Sequence, residues 1–599
     1  MTERVSAASV SLARSMCALF QDSAAADPDR PALRTPGDAV TITWREYARR
    51  VAGIAAGLAA LGVRKGDTVA LMLSNRPEFH LVDTAAFHLG AIPFSVYNTS
   101  SAEQIGYVFA NAANRVVVCE KQFLPRLREI EGYGAVQHVV CVDGAEDGVV
   151  SLADIEAAGD PGFDFEAAWQ AVEPDDVLTL IYTSGTTGPP KGVELTHRNL
   201  LHSVAAGLEL ADAEGARVVS YLPDAHIANR WFSHYAPIVA GGTVTTVADP
   251  KTLIEALPDA RPTLFLAVPA LWYKIKAALD RAVAAEHGPR KALLNWALDV
   301  ARRKVEHETE GRSAPMPLRV RHALADRLVL SPLRKRFGFD QVSIAVTGAA
   351  PIAVEALTFV LSLGIPVCEG WGMSEVSAFG TVNRPGAIRV GTVGTAAAGV
   401  EVELAGDGEL LVRGPMVMKG YRGDPAGTAE AIDAEGWLHT GDIATIDDEG
   451  YVRIVDRKKE LIINAAGKNM SPSNIENTVL VACPLIASVV AIGDNRKYVV
   501  ALITLDPEAA ARYAEEHSLT PVSAAALATD PGIHAIVEAG IAKANAKLSR
   551  VEQIKDFTVL PAFWEPGGAE LTPTLKVKRK AIAEKYAAEI DALYPSREG

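Results

Sequence analysis

The chain has 599 residues, 22% charged and 49% hydrophobic, which suits a soluble globular protein of three or four structural units and excludes a disordered one. Its formal net charge of -15 disfavours a nucleic-acid reader, because a phosphate polymer is repelled unless positive charge is gathered locally. The five cysteines, Cys17, Cys119, Cys141, Cys368 and Cys483, form no CxxC pair. With no apolar run of the roughly 20 residues that cross a bilayer and no signal-peptide core, the expectation is buried thiols in a cytoplasmic protein without a transmembrane segment.

From Thr41 a short extended run leads into a helix over Glu46 to Leu61, where Val51, Ile54, Ala55, Leu58 and Leu61 recur at helical spacing. Gly62 to Asp67 turns the chain, and Thr68 to Leu73 reads as a buried strand. The alternation continues with a helix near Phe79 to Leu89, a strand over Ile92 to Val96, a helix near Ala102 to Ala112 and a strand over Arg115 to Cys119. Such alternation predicts a layered α/β domain with much parallel sheet.

The apolar run Val177 to Tyr182 feeds Thr183-Ser184-Gly185-Thr186-Thr187-Gly188-Pro189-Pro190-Lys191. Glycines admit an anion close to the backbone, hydroxyls and N–H groups donate to it, and Lys191 adds charge, so this loop is a candidate phosphate cradle. It is not a P-loop, which needs Gly before the lysine and Ser or Thr after it. A plain Ser/Thr/Gly hairpin turn is the bland alternative. Next comes Tyr221-Leu222-Pro223-Asp224-Ala225-His226, with Arg230 and Trp231 just beyond; taken singly, His226 and Trp231 read equally well as core residues.

Residues 272 to 336 read as a mostly helical stretch, and within 281 to 336 stand 13 Lys and Arg against 6 Asp and Glu. The densest clusters are Arg302-Arg303-Lys304 and Arg334-Lys335-Arg336. They are either a solvated surface or a basic face for anionic membrane. The strand Ser343 to Thr347 ends in Gly348-Ala349-Ala350-Pro351, whose small side chains leave room for a flat ring. There follow Glu369-Gly370-Trp371-Gly372-Met373-Ser374-Glu375, the Thr-Gly-Asp turn ending at Asp442, the charged run Asp456 to Glu460, the segment Gly467 to Pro472, and Lys576-Val577-Lys578-Arg579-Lys580.

Taken in order, these stretches resemble the AMP-forming acyl-adenylate and acyl-CoA synthetases over nearly the whole chain. The resemblance implies a large N-terminal layered α/β domain (1–455), a hinge (456–460) about Lys459, and a smaller mobile α+β C-terminal domain (461–599). It implies ATP, Mg²⁺ and coenzyme A as cofactors and co-substrates. Thr183 to Gly188 and Lys191 would hold phosphates, and Gly348, Ala349, Ala350, Trp371, Gly372 and Ser374 would surround adenine and phosphate. Asp442 and Arg457 would take the ribose, and Glu375 with Thr183 the metal. His226 would lie near the acyl and CoA tunnels and Trp231 at the acyl tunnel mouth, Gly467 and Lys468 would complete the CoA path, and Lys576, with His226 and Glu375, would be catalytic. Ile475-Glu476 resembles part of that CoA loop, and Lys578 and Lys580 are expected to be solvated.

Two departures stand out: Trp371 replaces a usual Tyr and Ser374 a usual Thr. The helical insertion and the run Leu324 to Leu330 are similar to the long-chain subgroup. The expectation is therefore a long-chain fatty acyl-CoA synthetase, with peripheral membrane contact as an addition. Alternatives are an acyl-AMP ligase serving a separate carrier protein and a non-catalytic nucleotide-binding scaffold; Lys576 argues against the scaffold, which has no use for it.

Overall fold

A computed structural model describes residues 6–594 apart from 131–135, 160–161, 184–188, 310, 466–467, 520–522 and 573–575. The N-terminal part is built as the alternation predicts. Thr43 accepts the Glu46 N–H to cap the helix Trp44–Ala60, whose Val51, Ile54, Ala55 and Leu58 face is fully buried; each large aliphatic there stabilises by roughly 1.5–3 kcal/mol. A capping box between Ser101 and Gln104 starts the helix Ala102–Ala112. Between such helices lies a five-stranded parallel sheet, in the order Ile92–Ser95, Thr68–Met72, Val116–Cys119, His138–Cys141, Val150–Ser151.

A second five-stranded sheet runs parallel from Leu264–Ala267 through Ile344–Thr347 to Val367–Trp371 and then antiparallel through Thr381–Val382 and Thr395–Ala396. The strands Val177–Thr183 and Lys191–Thr196 form an antiparallel hairpin whose connection carries the predicted phosphate loop. An antiparallel four-stranded sheet, Glu401–Leu404, Glu409–Arg413, Leu438–Ile446 and Val452–Arg457, closes this part. All five cysteines are buried and free.

From Ile462 onward a separate core forms around the sheet Ile486–Ile492, Val499–Leu505, Ile554–Val559 and the helices Pro472–Ala482 and Pro531–Asn545. The fold is thus mixed α/β with a large N-terminal part and a separate small α+β part. Within the large part, between the strands Leu264–Ala267 and Ile344–Thr347, the stretch expected to be helical forms Pro269–Ala285, Gly288–Thr309, Met316–Ala325, a π-helical turn Asp326–Leu330, and Ser331–Arg336. Pro332 cannot donate to the Leu328 carbonyl four residues back, which accounts for the wide turn. Among the described residues no helix is long and apolar enough to cross a membrane.

Candidate active site

One cleft of about 2800 Å³ lies between the large and small parts. Into it open Thr183, Lys191, His226, Trp231, Gly348, Ala349, Ala350, Trp371, Gly372, Ser374, Glu375, Asp442, Arg457, Lys459 and Lys576. Most of the sequence-predicted residues therefore meet, although they span almost 400 positions. Ser184, Gly185, Thr186, Thr187, Gly188 and Gly467 lie outside the described residues.

The corner around Asp442 is assembled by register. Asp442 and Arg457 are direct partners on adjacent antiparallel strands, and Arg457 Nε donates to Asp442 Oδ1 at 2.7 Å. The other carboxylate oxygen, Oδ2, accepts the Trp371 indole N–H at 2.7 Å. Burial raises the Asp442 pKa, while Arg457, Trp371 and Lys576 oppose that shift. The substitution of Trp for Tyr is thereby explained locally: the indole supplies the donor that orients Asp442.

Glu375 follows on a one-turn 3₁₀ helix, Ser374–Val376, and is buried. Its Oε1 accepts from the Tyr421 hydroxyl at 3.0 Å; burial raises its pKa against that bond and the charges of Arg457 and Lys576. Lys191 lies over the Tyr421 ring at 4.5 Å, with Asp424 3.9 Å from its ammonium. Glu375, Thr183 and Ser374 present only oxygen atoms, a donor set that suits a hard cation such as Mg²⁺ held largely through a nucleotide's phosphates. Tyr421 passed almost unnoticed in the sequence because an isolated Gly-Tyr carries no spacing signal.

The small residues predicted to lie beside a ring line the cleft and pack closely against backbone. A Cβ on Gly348 would stand 2.8 Å from the Gly370 carbonyl oxygen, and Ala349 adopts φ +66°. A Cβ on Gly372 would come within 1.9 Å of the Ala378 carbonyl oxygen, so this turn admits only glycine.

His226 caps the short helix Ile227–Arg230, its Nδ1 accepting the Ala228 N–H at 3.2 Å. The ring keeps some contact with solvent but is enclosed by protein on most sides, and burial with the nearby Lys576 charge pushes its pKa down to about 4. It is therefore neutral at pH 7, with its proton on Nε2. Beneath it, the fully buried Arg230 pairs with Asp83 at 2.5 Å and donates to Thr179 and Tyr235, each at 2.9 Å. His234 joins Asp83 at 3.0 Å. Burial alone would raise the Asp83 pKa; Arg230 and His234 outweigh it and hold it low. Trp231 opens a π-helical turn ending at Tyr235, for Pro237 leaves the Ser233 carbonyl without its helical donor. Its ring lies edge-on to Phe379 at 5.3 Å and against Gly207, where a Cβ would meet it at 2.6 Å. Asp83 had no sequence signal, since its partner stands 147 positions away.

The small part contributes Lys576. Leu571 and Val577 bridge, and the Lys576 N–H donates to Thr572 Oγ1 at 3.0 Å. Lys576 is exposed to the water of the cleft, while desolvation by the surrounding protein and the charge of Arg457 lower its pKa, opposed by Asp442, Glu460 and Glu375. Lys578 is not solvated as expected: its ammonium donates to the Gly568 carbonyl at 2.8 Å, just before the helix Arg579–Lys585. Lys580 is exposed. Ile475 and Glu476 are not in a loop but on the helix Pro472–Ala482, where Glu476 takes a bidentate bond from Arg579 at 2.6 and 2.7 Å. Lys468 is exposed beside the Ile462–Ile463/Asn469–Met470 ladder and does not line the cleft.

Residues 20–422 match the AMP-binding enzyme family, and residues 459–598 match the AMP-binding enzyme C-terminal domain. The chain belongs to the AMP-binding enzymes. It is 53% identical over 452 residues, 75% of this chain and 79% of the relative, to fadD11 of Mycobacterium tuberculosis, named provisionally as a fatty-acid–CoA ligase. It is 36% identical over 580 residues, 95% of each, to the long-chain-fatty-acid–CoA ligase FadD15 of the same organism. Among solved structures, the adenylation domain of a carboxylate reductase from Mycobacterium chelonae superposes with a TM-score of 0.76 at 20% identity, over 98% of this chain and 93% of that one. An anthranilate–CoA ligase bound to anthranoyl-AMP superposes with 0.72 at 18% identity, over 96% and 98%. In this AMP-binding enzyme, then, the cleft between the two matched regions holds the residues singled out above.

Proposed function

We propose that the chain is a long-chain fatty acid–CoA ligase that forms acyl-AMP from a fatty acid and ATP and then the CoA thioester. The observation that carries this reading is the convergence of Asp442, Arg457, Glu375 and Lys576 on one cleft, together with relatives named as ligases of fatty acids.

In the first half-reaction a carboxylate oxygen attacks the α-phosphorus of ATP and pyrophosphate leaves. Asp442, oriented by Trp371 and Arg457, is suited to the ribose hydroxyls, and the small loop Gly348 to Ala350 to the base. Lys576 would stand between carboxylate and α-phosphate, where its ammonium stabilises the charge that develops; its role is electrostatic rather than covalent. Mg²⁺, held by Glu375 and Thr183, would supply further neutralisation of phosphate charge. In the second half-reaction the CoA thiol attacks the acyl carbonyl, AMP leaves, and the thiol proton passes to solvent or a nearby base. Lys576 must first withdraw.

The hinge proposal at Lys459 is supported by its neighbours. Lys458 is tied to Asp407 and Glu409 of the large part, while Glu460 faces Arg579 of the small part; Lys459 between them makes no ion pair with a described residue. Rotation there would remove Lys576 and bring Gly467 and Lys468 toward the CoA path. We also propose that the protein works against an anionic membrane, from which a poorly soluble fatty acid is drawn, as the basic bias of residues 281–336 suggests.

Incubation with ATP, palmitate and CoA tests the reading. AMP and palmitoyl-CoA should form in equal amounts; acyl-AMP without thioester would favour the carrier-dependent ligase, and neither product would refute an enzyme of this class.

A further inference from the structure

Four of the six residues in the two densest basic clusters are paired with acids. Arg302 pairs with Asp299 and Glu306, Arg303 with Asp299, Lys304 with Glu308 and Arg334 with Asp326. These are i,i+3 and i,i+4 partners, apart from Arg334, and the helix Gly288–Thr309 has an ordinary solvated outer face.

Its partner helix is different. Met316–Ala325 and the turn Asp326–Leu330 bury Ala325, Val329 and Leu330 against Ala297, Val300 and Ala301. The opposite face, which a solvated helix would make polar, carries Met316 at 68% exposure, Val320 at 62%, Leu324 at 51% and Leu328 at 51%. Their spacing of four sets them in one row about 18 Å long. Flanking the row are Arg319, Arg321 and Arg327, none of which makes an ion pair among the described residues. A neighbouring pocket of about 370 Å³ adds Arg303, His307 and Arg312 around Pro317 and Leu318, with Glu306 as the one carboxylate among its described lining residues. An apolar row bordered by Arg319, Arg321 and Arg327, on a chain of net charge -15, fits a helix lying in the plane of an anionic bilayer, side chains in the acyl boundary and guanidinium groups at the phosphates.

We propose that the face Met316-Val320-Leu324-Leu328, with Arg319, Arg321 and Arg327, docks this protein on anionic phospholipid. This deepens the membrane part of the proposed function and stands apart from the catalytic part. A long-chain fatty acid would then reach the cleft from the bilayer, since Pro269–Ala285, in the same insertion, lines that cleft with Tyr273, Lys276 and Arg281.

The test is co-sedimentation of the full chain with vesicles of phosphatidylcholine, or of phosphatidylcholine and phosphatidylglycerol in equal parts, at low and high salt. Three triple variants are compared: Val320→Gln/Leu324→Gln/Leu328→Gln, Arg319→Gln/Arg321→Gln/Arg327→Gln, and Arg302→Gln/Arg303→Gln/Lys304→Gln. All positions are at the surface, and unchanged thermal unfolding verifies that each variant folds. The parent should prefer anionic vesicles and lose that preference at high salt. The apolar variant should bind about tenfold or more weakly, the Arg319 variant should lose the anionic preference, and the Arg302 variant should behave as the parent. A parent that does not bind overturns membrane contact altogether. Parent-like binding by the apolar variant overturns this surface alone. A dimer in sedimentation velocity that the apolar substitutions abolish would assign the face to a second copy and also overturn the proposal. Palmitate-dependent AMP release in detergent, measured in parallel, reports separately on the catalytic reading.

Discussion

The two sides of the cleft are built on different terms. On the large side, Asp442, Trp371 and Glu375 are buried, hydrogen-bonded and mounted on sheet ends or a tight turn, and the helix bearing Trp231 is pinned by the Arg230–Asp83 pair. On the small side Lys576 belongs to a part whose hydrogen bonds and ion pairs to the rest are few among the described residues. They include the exposed pair Lys547–Glu355 and the bonds that Asp456 accepts from the Ser471 hydroxyl at 2.6 Å, the Ser473 N–H at 3.1 Å and the Ser473 hydroxyl at 3.2 Å. Under the proposed mechanism the contrast has a use: the side proposed to hold the nucleotide is over-determined, and the part proposed to leave is held lightly.

The comparison can be broken hardest at its rigid side. Arg230→Met leaves the Asp83 carboxylate buried without its cation and should destabilise the large part by about 3–5 kcal/mol. Thermal unfolding should show a lower first transition, with the small part's signal unmoved; an unchanged melt would mean that the pair does not secure this wall. Trp371→Phe keeps the ring and removes one donor to a buried carboxylate, worth roughly 1.5–3 kcal/mol. KM for ATP should rise about tenfold or more while KM for palmitate changes little; equal rises would point to a general disturbance of packing instead.

Acid should separate the two sides. His80, His88, His197 and His234 are buried in the large part, and burial lowers their pKa, for His88 and His197 to about 3. His517 and His534 of the small part are exposed. Each buried imidazole stays neutral in the fold but takes a proton when unfolded below pH 6.5. The stability it lends is therefore full above that value and is lost as pH falls toward 3, by up to about 1.4 kcal/mol per pH unit per histidine. Unfolding followed from pH 7 to 5 should weaken the large part first, and His88→Gln should flatten that dependence. The smallest effect belongs to Lys547→Gln, because an exposed pair contributes about 0–1 kcal/mol. It should change the ratio of adenylate to thioester formation only a few-fold, toward the thioester; a shift the other way would mean that the pair does not favour the arrangement with Lys576 in the cleft.

Much of the scaffold was legible in the sequence where one local pattern decides the matter. The helix Ala102–Ala112 begins and ends where its periodicity and capping residues place it, and the strand Thr68–Met72 falls within one residue of the expected bound. Residues joined across long separations were not legible. Asp83 shows its importance only beside Arg230, and the donor role of Trp371 only beside Asp442, 71 positions on. The apolar row in the insertion failed for another reason: periodicity reveals a helical face without saying whether a neighbour covers it. The pairing of Arg302 and Lys304 with acids four residues later was readable, and a charge count alone obscured it.

The central claim, that Lys576 serves the first half-reaction and must leave for the second, is tested most directly by Lys576→Ala with the halves assayed apart. Formation of acyl-AMP from ATP and palmitate, followed by pyrophosphate release, should fall by roughly a hundredfold or more, as loss of one positioned charge does. Conversion of supplied palmitoyl-AMP and CoA to the thioester should stay near the parent rate. Equal losses in both halves would contradict the account.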